Sequence, residues 1–585
     1  MRKTFCFVVA LLLLTGPGHP GCFAQSKVSE NITISKAELE KAGESIPVSS
    51  IGEPVGSVKL YPSRWIEATD AGPAYGVVEG SIFPVDPNGW PINFRVLLPS
   101  SWSQRAMQAG GGGINGTITV REGRNQMVDK GFALYGSDSG HQAGGMGFGG
   151  PQGKPLASGP TSGDEWAIND EAIRNIGYMQ MKKTHDAVMA IIERVYGKRP
   201  AYNYYVGNSQ GGREAITVAQ RYPKDYNGII ANVPIVNFSS LMLAPELIRI
   251  QEKPLKNWVT PAKVNAIRAE FLRQCDKLDG LSDGIISNYM AARAIFNVND
   301  GVGPIDPWAA LRAPNNIDPD PNDKSELAKL TNEQIKTMEF VYSPYQFATP
   351  LANGIKTFGM WLPTTEPDGF GMITGQRFKG QEGAGENAQV HGSLGTLGVT
   401  GFLMQDIKDN PLDYIEGGQW NKRRAQISEW LDSTNPDLSV FYKNGGKIII
   451  TIGAMDNIAS CGAQLDYYQS LINKMGRKTI DQFARLYVVP QAGHGLSGKS
   501  YKVNGEGKPV DLKNIPGPSG NDNMELIIAW AEKNVAPAKT LVIDPKGKIG
   551  VKQEGPGYLL CSYPNYSKYK GGPADQVSSY VSADR

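Results

Sequence analysis

The sequence predicts an α/β protein in which a mostly parallel sheet is covered by helices on both faces. Two features predict it. Short runs that are apolar throughout, such as 447–452 and 485–490, alternate with longer stretches of helical period. Strands buried on both faces of a parallel sheet read in this way. The stretch from about 236 to 425 breaks the rhythm, being rich in Pro, Gly, Asn and Asp with weak strand signals. It reads as one large insertion between two halves of a single domain.

The elements follow in order. Arg2 and Lys3 precede an apolar stretch, 7–14, and small residues through Ala24, which predicts a secretory signal over 1–24. Lipid attachment at Cys22 is disfavoured, because His19-Pro20-Gly21 lacks the expected Leu. No later apolar run reaches the roughly 18 residues that span a bilayer, so an exported, soluble protein without a membrane span is expected, secreted or periplasmic. The first part of the core, 25–235, opens with a polar arm over 25–54. Strands are predicted at 76–80 and 91–99, then a glycine run at 110–113 and a strand at 132–135. The Pro-free periodic stretch 165–197 predicts a helix, 203–206 a strand, and 212–221 a second helix. After the insertion, the second part of the core, 426–585, carries strands at 447–452 and 485–490 and helices around 467–474 and 523–534.

Composition narrows the function classes. The chain has 585 residues, 40% hydrophobic and 20% charged, enough for a large core. Lys plus Arg number 59 against 57 Asp plus Glu, a net charge of +2 with no basic run, which argues against a nucleic-acid footprint. Of five Cys, Cys6 and Cys22 fall in the signal, leaving the odd number Cys275, Cys461 and Cys561. None sits in a setting that suggests a nucleophile.

The sharpest chemical signal is Gly207-Asn208-Ser209-Gln210-Gly211, a G-x-S-x-G pattern between a predicted strand and a predicted helix. Bulky neighbours would clash in so sharp a turn, and the turn aims the Ser209 hydroxyl out of the sheet. The alternative is an ordinary Gly-flanked turn. A Ser nucleophile needs a base, and outside the signal four His remain. His494 stands in a Gly-bounded loop after a C-terminal strand; His185 is mid-helix, His391 lies in the insertion, and His141 follows an earlier strand as the rival. Asp456, four residues past the 447–452 strand, completes the order Ser, acid, His of the α/β-hydrolase fold, where it would orient the imidazole. Taken alone, Asp456 reads equally as a helix cap. Gly110 to Gly113 follow an early strand, where oxyanion donors are expected, with the N–H of Gln210 as partner; the alternative is a flexible linker.

A second cluster lies in the insertion. Asp276, Asp279 and Asp283 fall within eight residues, separated by Gly. Such oxygen-rich loops suit a hard divalent cation, Ca²⁺ before Zn²⁺ in the absence of a His or thiolate pair. A solvated Asp-rich turn is the competing reading.

From about Gly76 to Gly572 the chain resembles the tannase/feruloyl esterase family, which includes mono(2-hydroxyethyl) terephthalate hydrolases. The resemblance is carried by Leu98-Pro99-Ser100-Ser101-Trp102, Gly110 to Gly116, Ser209-Gln210-Gly211-Gly212-Arg213-Glu214, Gly453-Ala454-Met455-Asp456, Gly493-His494, and Tyr563-Pro564 through Tyr569-Lys570-Gly571. It implies oxyanion donors at Gly113 and Gln210 and makes 236–425 a lid. It implies structural Ca²⁺ held by Asp276, Asp279 and Asp283 with the carbonyls of Leu281 and Ile285, and no organic cofactor. Most of the family ties the nucleophile loop to the His loop by a disulfide; here those positions are Asn208 and Gly495. Cys275 and Cys561 match family half-cystines whose partners are missing.

The expected function is hydrolysis of a small-molecule carboxylic ester through Ser209, His494 and Asp456 and an acyl-enzyme. The ester follows from the triad and fold. The aromatic acid (feruloyl, galloyl or terephthaloyl) is implied by the resemblance. Two alternatives stay open: an esterase for aliphatic or hydroxyalkanoate oligomer esters, and a silent polyphenol- or carbohydrate-binding protein on the same fold.

Overall fold

The computed structural model describes residues 30–70, 72–142, 155–161, 163–297, 306–319, 329–362, 377–388, 397–550 and 554–584. The expected signal, 1–24, and His391 lie outside the described residues.

One large sheet organises the chain. Its strands are β1 (Ser57–Leu60), β2 (Arg64–Ile66), β3 (Tyr75–Phe83), β4 (Ile92–Pro99), β5 (Arg105–Ala109), β6 (Phe132–Ser137), β7 (Tyr202–Asn208), β8 (Gly228–Asn232), β9 (Lys447–Gly453) and β10 (Ala484–Val489). They lie in the order β10-β9-β8-β7-β5-β6-β4-β3-β1, with β2 also paired to β3. The six strands from β10 to β6 are mutually parallel, whereas β4, β3, β1 and β2 add antiparallel pairs. This is the expected α/β-hydrolase architecture.

The uniformly apolar strands now have a physical cause. In β9, Ile448, Ile450 and Ile452 face a cluster containing Ala215, Ile216 and Val218 of helix α2 (Gln210–Arg221). Ile449 faces the opposite layer, with Met524, Ile527 and Trp530. Both faces are buried, so alternation disappears. Ahead of α2 in the chain, helix α1 (Gln180–Tyr196) packs Ala187, Val188, Ile191 and Ile192 against the antiparallel half of the sheet.

Between β8 and β9 the chain adds no strand to this sheet among the described residues. It contains helices α3 (Phe238–Gln251), α4 (Pro261–Cys275) and α5 (Asn421–Leu431). Beyond β9 come α6 (Cys461–Met475) and α7 (Gly520–Lys533), the helix that supplies Trp530.

Three expectations change. The 165–197 helix is broken into a 3₁₀ turn (Asp164–Ile168), a short helix (Asp170–Arg174), a π turn (Asn175–Met179) and α1. The break has a use: the π-turn carbonyls of Ile176 and Gly177 accept hydrogen bonds from the Arg213 guanidinium (both 2.6 Å). The N-terminal arm, expected to be polar, also carries core residues: Leu39, Ala42, Ile46 and Ile51 are buried beside α1. Finally, β5 and β8 are strands that the sequence pattern did not announce.

Candidate functional site

Ser209 stands between the end of β7 and the start of α2, with φ +59° and ψ −118°. A non-Gly residue in that region is strained, a cost accepted at functional turns. The flanking glycines make the turn possible. A Cβ on Gly207 would lie 2.2 Å from the Gly211 carbonyl carbon, and one on Gly211 would lie 2.5 Å from the Gly111 oxygen. A side chain at Gly207 would force β7 away from α2, and one at Gly211 would push the turn away from the 110–113 loop.

The structure brings the three separated residues together. His494 Nε2 lies 2.8 Å from Ser209 Oγ, while its Nδ1 lies 3.0 and 3.1 Å from the two Asp456 carboxylate oxygens. Asp456 is fully buried and further held by the N–H groups of Ile458 and Ala459 (each 2.9 Å) and by Gln464 Nε2 (3.0 Å). Burial works against both charges, but the pair outweighs it. Asp456 falls below the ordinary carboxylate value, and His494 rises above the ordinary imidazole value through the facing carboxylate. With the ring protonated on Nδ1, Nε2 is free to take the Ser209 proton.

The glycine run joins the same junction. Gly110 N–H donates to Val206 O and Gly211 N–H donates to Gly111 O, both at 2.9 Å. The loop therefore lies against the first turn of α2, with Gly113 at φ +60°. Among the described residues, the N–H groups of Gly113 and Gln210 have no backbone acceptor. Arg213 fixes the turn from below: it is fully buried and donates to Gln210 Oε1 (2.7 Å), Ile176 O, Gly177 O and Leu431 O (3.1 Å). Sequence reading assigned Arg213 and Glu214 no role; a charged pair one turn after a Ser on a buried helix was the available signal.

Among the described residues, none of the other candidate side chains is hydrogen-bonded to Ser209, His494 or Asp456. His141 is buried and stacked on Trp166 (3.8 Å between ring centres), and burial pushes its pKa down to about 3. His185 pairs with Asp186 (2.8 Å) on α1; Lys182 bridges Asp186 and Asp225 there at 2.8 and 2.9 Å. Cys275, Cys461 and Cys561 are all buried free thiols, Cys461 pushed by burial up to about 12, so none is poised as a thiolate. In place of a disulfide beside the nucleophile, Asn208 Oδ1 accepts from Asn232 Nδ2 (2.8 Å).

The aspartate loop follows α4. Asp276 accepts from Ser282 Oγ (2.5 Å) and from the N–H groups of Gly284 and Gly505 (each 2.7 Å). Asp279 is buried and accepts from the Leu281 and Ser287 amides, and Asp283 meets Lys513 Nζ at 2.8 Å. Among the described residues these three carboxylates do not close to 4.8 Å of one another; His185, Asp186 and Asp225 do, but Lys182 already sits between the two carboxylates of that group. The all-oxygen character and the buried Asp279 still suit a hard cation.

A profile of the family described as tannase and feruloyl esterase matches residues 76–583. An uncharacterized esterase of Agrobacterium fabrum is 32% identical, over 93% of this chain and 92% of its own length. Mono(2-hydroxyethyl) terephthalate hydrolase of Piscinibacter sakaiensis is 25% identical over 83% and 80%. The structure of feruloyl esterase B from Aspergillus oryzae shares the fold, with TM-score 0.64, 21% identity and coverage of 92% and 98%. No helix among the described residues is long and apolar enough to cross a membrane. The chain belongs to the tannase and feruloyl esterase family and is a carboxylic ester hydrolase.

Proposed function

We propose that this chain is an exported serine esterase that hydrolyses esters of aromatic acids. The observation that carries the reading is the continuous contact from Ser209 Oγ through His494 to Asp456, at 2.8 and 3.0 Å, beside two unengaged N–H groups. Ser209 Oγ attacks the ester carbonyl as its proton passes to His494 Nε2. The carbonyl oxygen takes up negative charge and is held by the N–H groups of Gly113 and Gln210. His494 then returns the proton to the leaving alcohol, and the acyl group remains on Ser209. Water gives its proton to His494 and attacks the acyl carbonyl; the bond from the acyl carbon to Ser209 Oγ then breaks as His494 returns that proton to Oγ, which releases the acid and restores the free enzyme.

The aromatic acid is supported by relatives named for feruloyl and terephthalate esters. In the lid, Phe340, Tyr345 and Phe347 pack on one another, as do Phe358 and Trp361. Trp361 Nε1 donates to the Ile458 carbonyl (3.3 Å), two residues from Asp456. Export is supported by the charged, apolar and small-residue order of 1–24. The test is turnover of methyl ferulate, methyl gallate, mono(2-hydroxyethyl) terephthalate and p-nitrophenyl butyrate. Turnover of an aromatic-acid ester is expected. Turnover confined to the butyrate discards the aromatic reading, and inertness toward all four puts the binding-protein alternative ahead.

Calcium is part of the same proposal, as a brace for the lid outside the chemistry. Asp276, Asp279 and Asp283 with the carbonyls of Leu281 and Ile285 would hold it, and Lys513 would give up Asp283. Chelation is expected to lower Tm and added Ca²⁺ to restore it, since a ligand at 100 times its Kd stabilises by about 2.7 kcal/mol. A Tm indifferent to both, with no calcium in the purified protein, contradicts the site.

A further inference from the structure

The proposed reaction makes no use of a carboxylate buried directly behind the nucleophile turn. Glu214 lies on α2 and is fully buried. Its Oε2 accepts the Gly111 N–H (3.0 Å) and the Tyr205 O–H (2.9 Å). Its Oε1 accepts from Gln180 Nε2 (3.1 Å) and faces Ser139 Oγ at 3.5 Å. Ser139 Oγ in turn accepts from Asn115 Nδ2. The carboxylate therefore reaches the glycine loop on both sides of Gly113, directly at Gly111 and through Ser139 at Asn115.

The neighbouring Arg213 makes no hydrogen bond to it, because that guanidinium is spent on carbonyl oxygens and Gln210, although its charge still favours the ionised carboxyl. All four groups on Glu214 can donate, and none is charged. A carboxylate suits this arrangement because it only accepts. The packing is close: a Cβ on Gly110 would stand 2.8 Å from Glu214 Oε2 and 2.8 Å from the Gly211 Cα. Four consecutive glycines have large conformational freedom, so such a loop needs an external anchor to present one N–H accurately. Accuracy matters, since a donor must lie 2.7–3.1 Å from the oxyanion to be effective.

We propose that Glu214 is a positioning residue for the oxyanion loop, tying the 110–113 glycines to the helix that carries Ser209. The proposal rests on ester hydrolysis at Ser209. Glu214 touches no reacting atom; it sets where the Gly113 N–H stands relative to Ser209 Oγ. Its loss should therefore act on the transition state and spare substrate binding.

Glu214→Ala and Glu214→Gln are compared with native protein in p-nitrophenyl butyrate hydrolysis, inhibition by phenylboronic acid, and thermal melting. Glu214→Ala is expected to lower kcat about 30- to 100-fold, somewhat less than outright loss of an oxyanion donor, with KM within about threefold. Boronate inhibition should weaken by a similar factor, because the tetrahedral adduct uses the same donors. Glu214→Gln should recover about tenfold of the loss, because its amide oxygen can still accept the Gly111 N–H. If Glu214→Ala does not fold, Glu214→Gln is read with Ser139→Ala, which frees the Asn115 side of the loop and should reduce kcat while leaving KM in place.

A folded Glu214→Ala with native kcat overturns the proposal, as does a Glu214→Gln no better than alanine. So does a loss carried wholly by KM. Native protein inert toward every ester overturns the esterase reading itself, and this proposal with it, a result distinct from native activity that survives the substitution.

Discussion

Replacing Ser209 with Ala is expected to reduce ester turnover by about 10⁴-fold or more, while leaving the fold and the melting temperature close to native. The size follows from the mechanism. Without Oγ no acyl-enzyme can form, and His494 loses the group it deprotonates. Water activated by His494 in the same oxyanion hole can supply only residual turnover. The melting temperature is spared because, among the described residues, Ser209 Oγ makes one hydrogen bond, to His494, and Ala loses only that contact. The φ of +59° persists and remains strained for Ala, so any stability change is small. A fully active Ser209→Ala would remove Ser209 from the chemistry.

Asp456→Asn is the second large effect, with an expected loss in kcat of about 10⁴-fold. An amide can present its NH₂ to Nδ1 and hold the imidazole in the wrong tautomer, with the proton on Nε2 facing Ser209. The pH profile separates this from a mere loss of packing. His494 acts as a base only when neutral, and the Asp456 carboxylate raises its pKa above the ordinary value despite burial. In the native enzyme kcat/KM should therefore rise with pH through a midpoint above 6.5. In Asp456→Asn the carboxylate is gone while burial remains, so the midpoint should move down. A native midpoint below the ordinary imidazole value, or one that does not move on substitution, contradicts the pairing.

Much of this site was legible because its elements are local. The G-x-S-x-G turn, the glycine run, Asp456 past β9 and His494 past β10 each sit on a strand end, and strand ends on one edge of a parallel sheet converge. β9 and β10 announced themselves through apolar residues on both faces. β5 did not, because Arg105 and Gln108 break the pattern and find partners far away: Arg105 pairs with Glu532 (2.6 Å) and Gln108 accepts from Tyr226 O–H (2.5 Å). The π turn was hidden for a similar reason, since it is stabilised by Arg213 from another helix. Glu214 was present in the motif, yet its role depends on Gly111 and Ser139, 103 and 75 residues earlier in the chain. Long-range polar partners leave no periodic trace.

The central claim is that Ser209 carries the acyl group between the two halves of the reaction. It is tested most directly by mixing the protein with an aromatic-acid ester that it turns over, quenching in acid during steady state, and locating any added mass by peptide mass spectrometry. The predicted result is an acyl adduct of the acid's mass on the peptide containing Ser209, absent in Ser209→Ala. An adduct on another residue, or continued turnover in Ser209→Ala without any adduct, would contradict it.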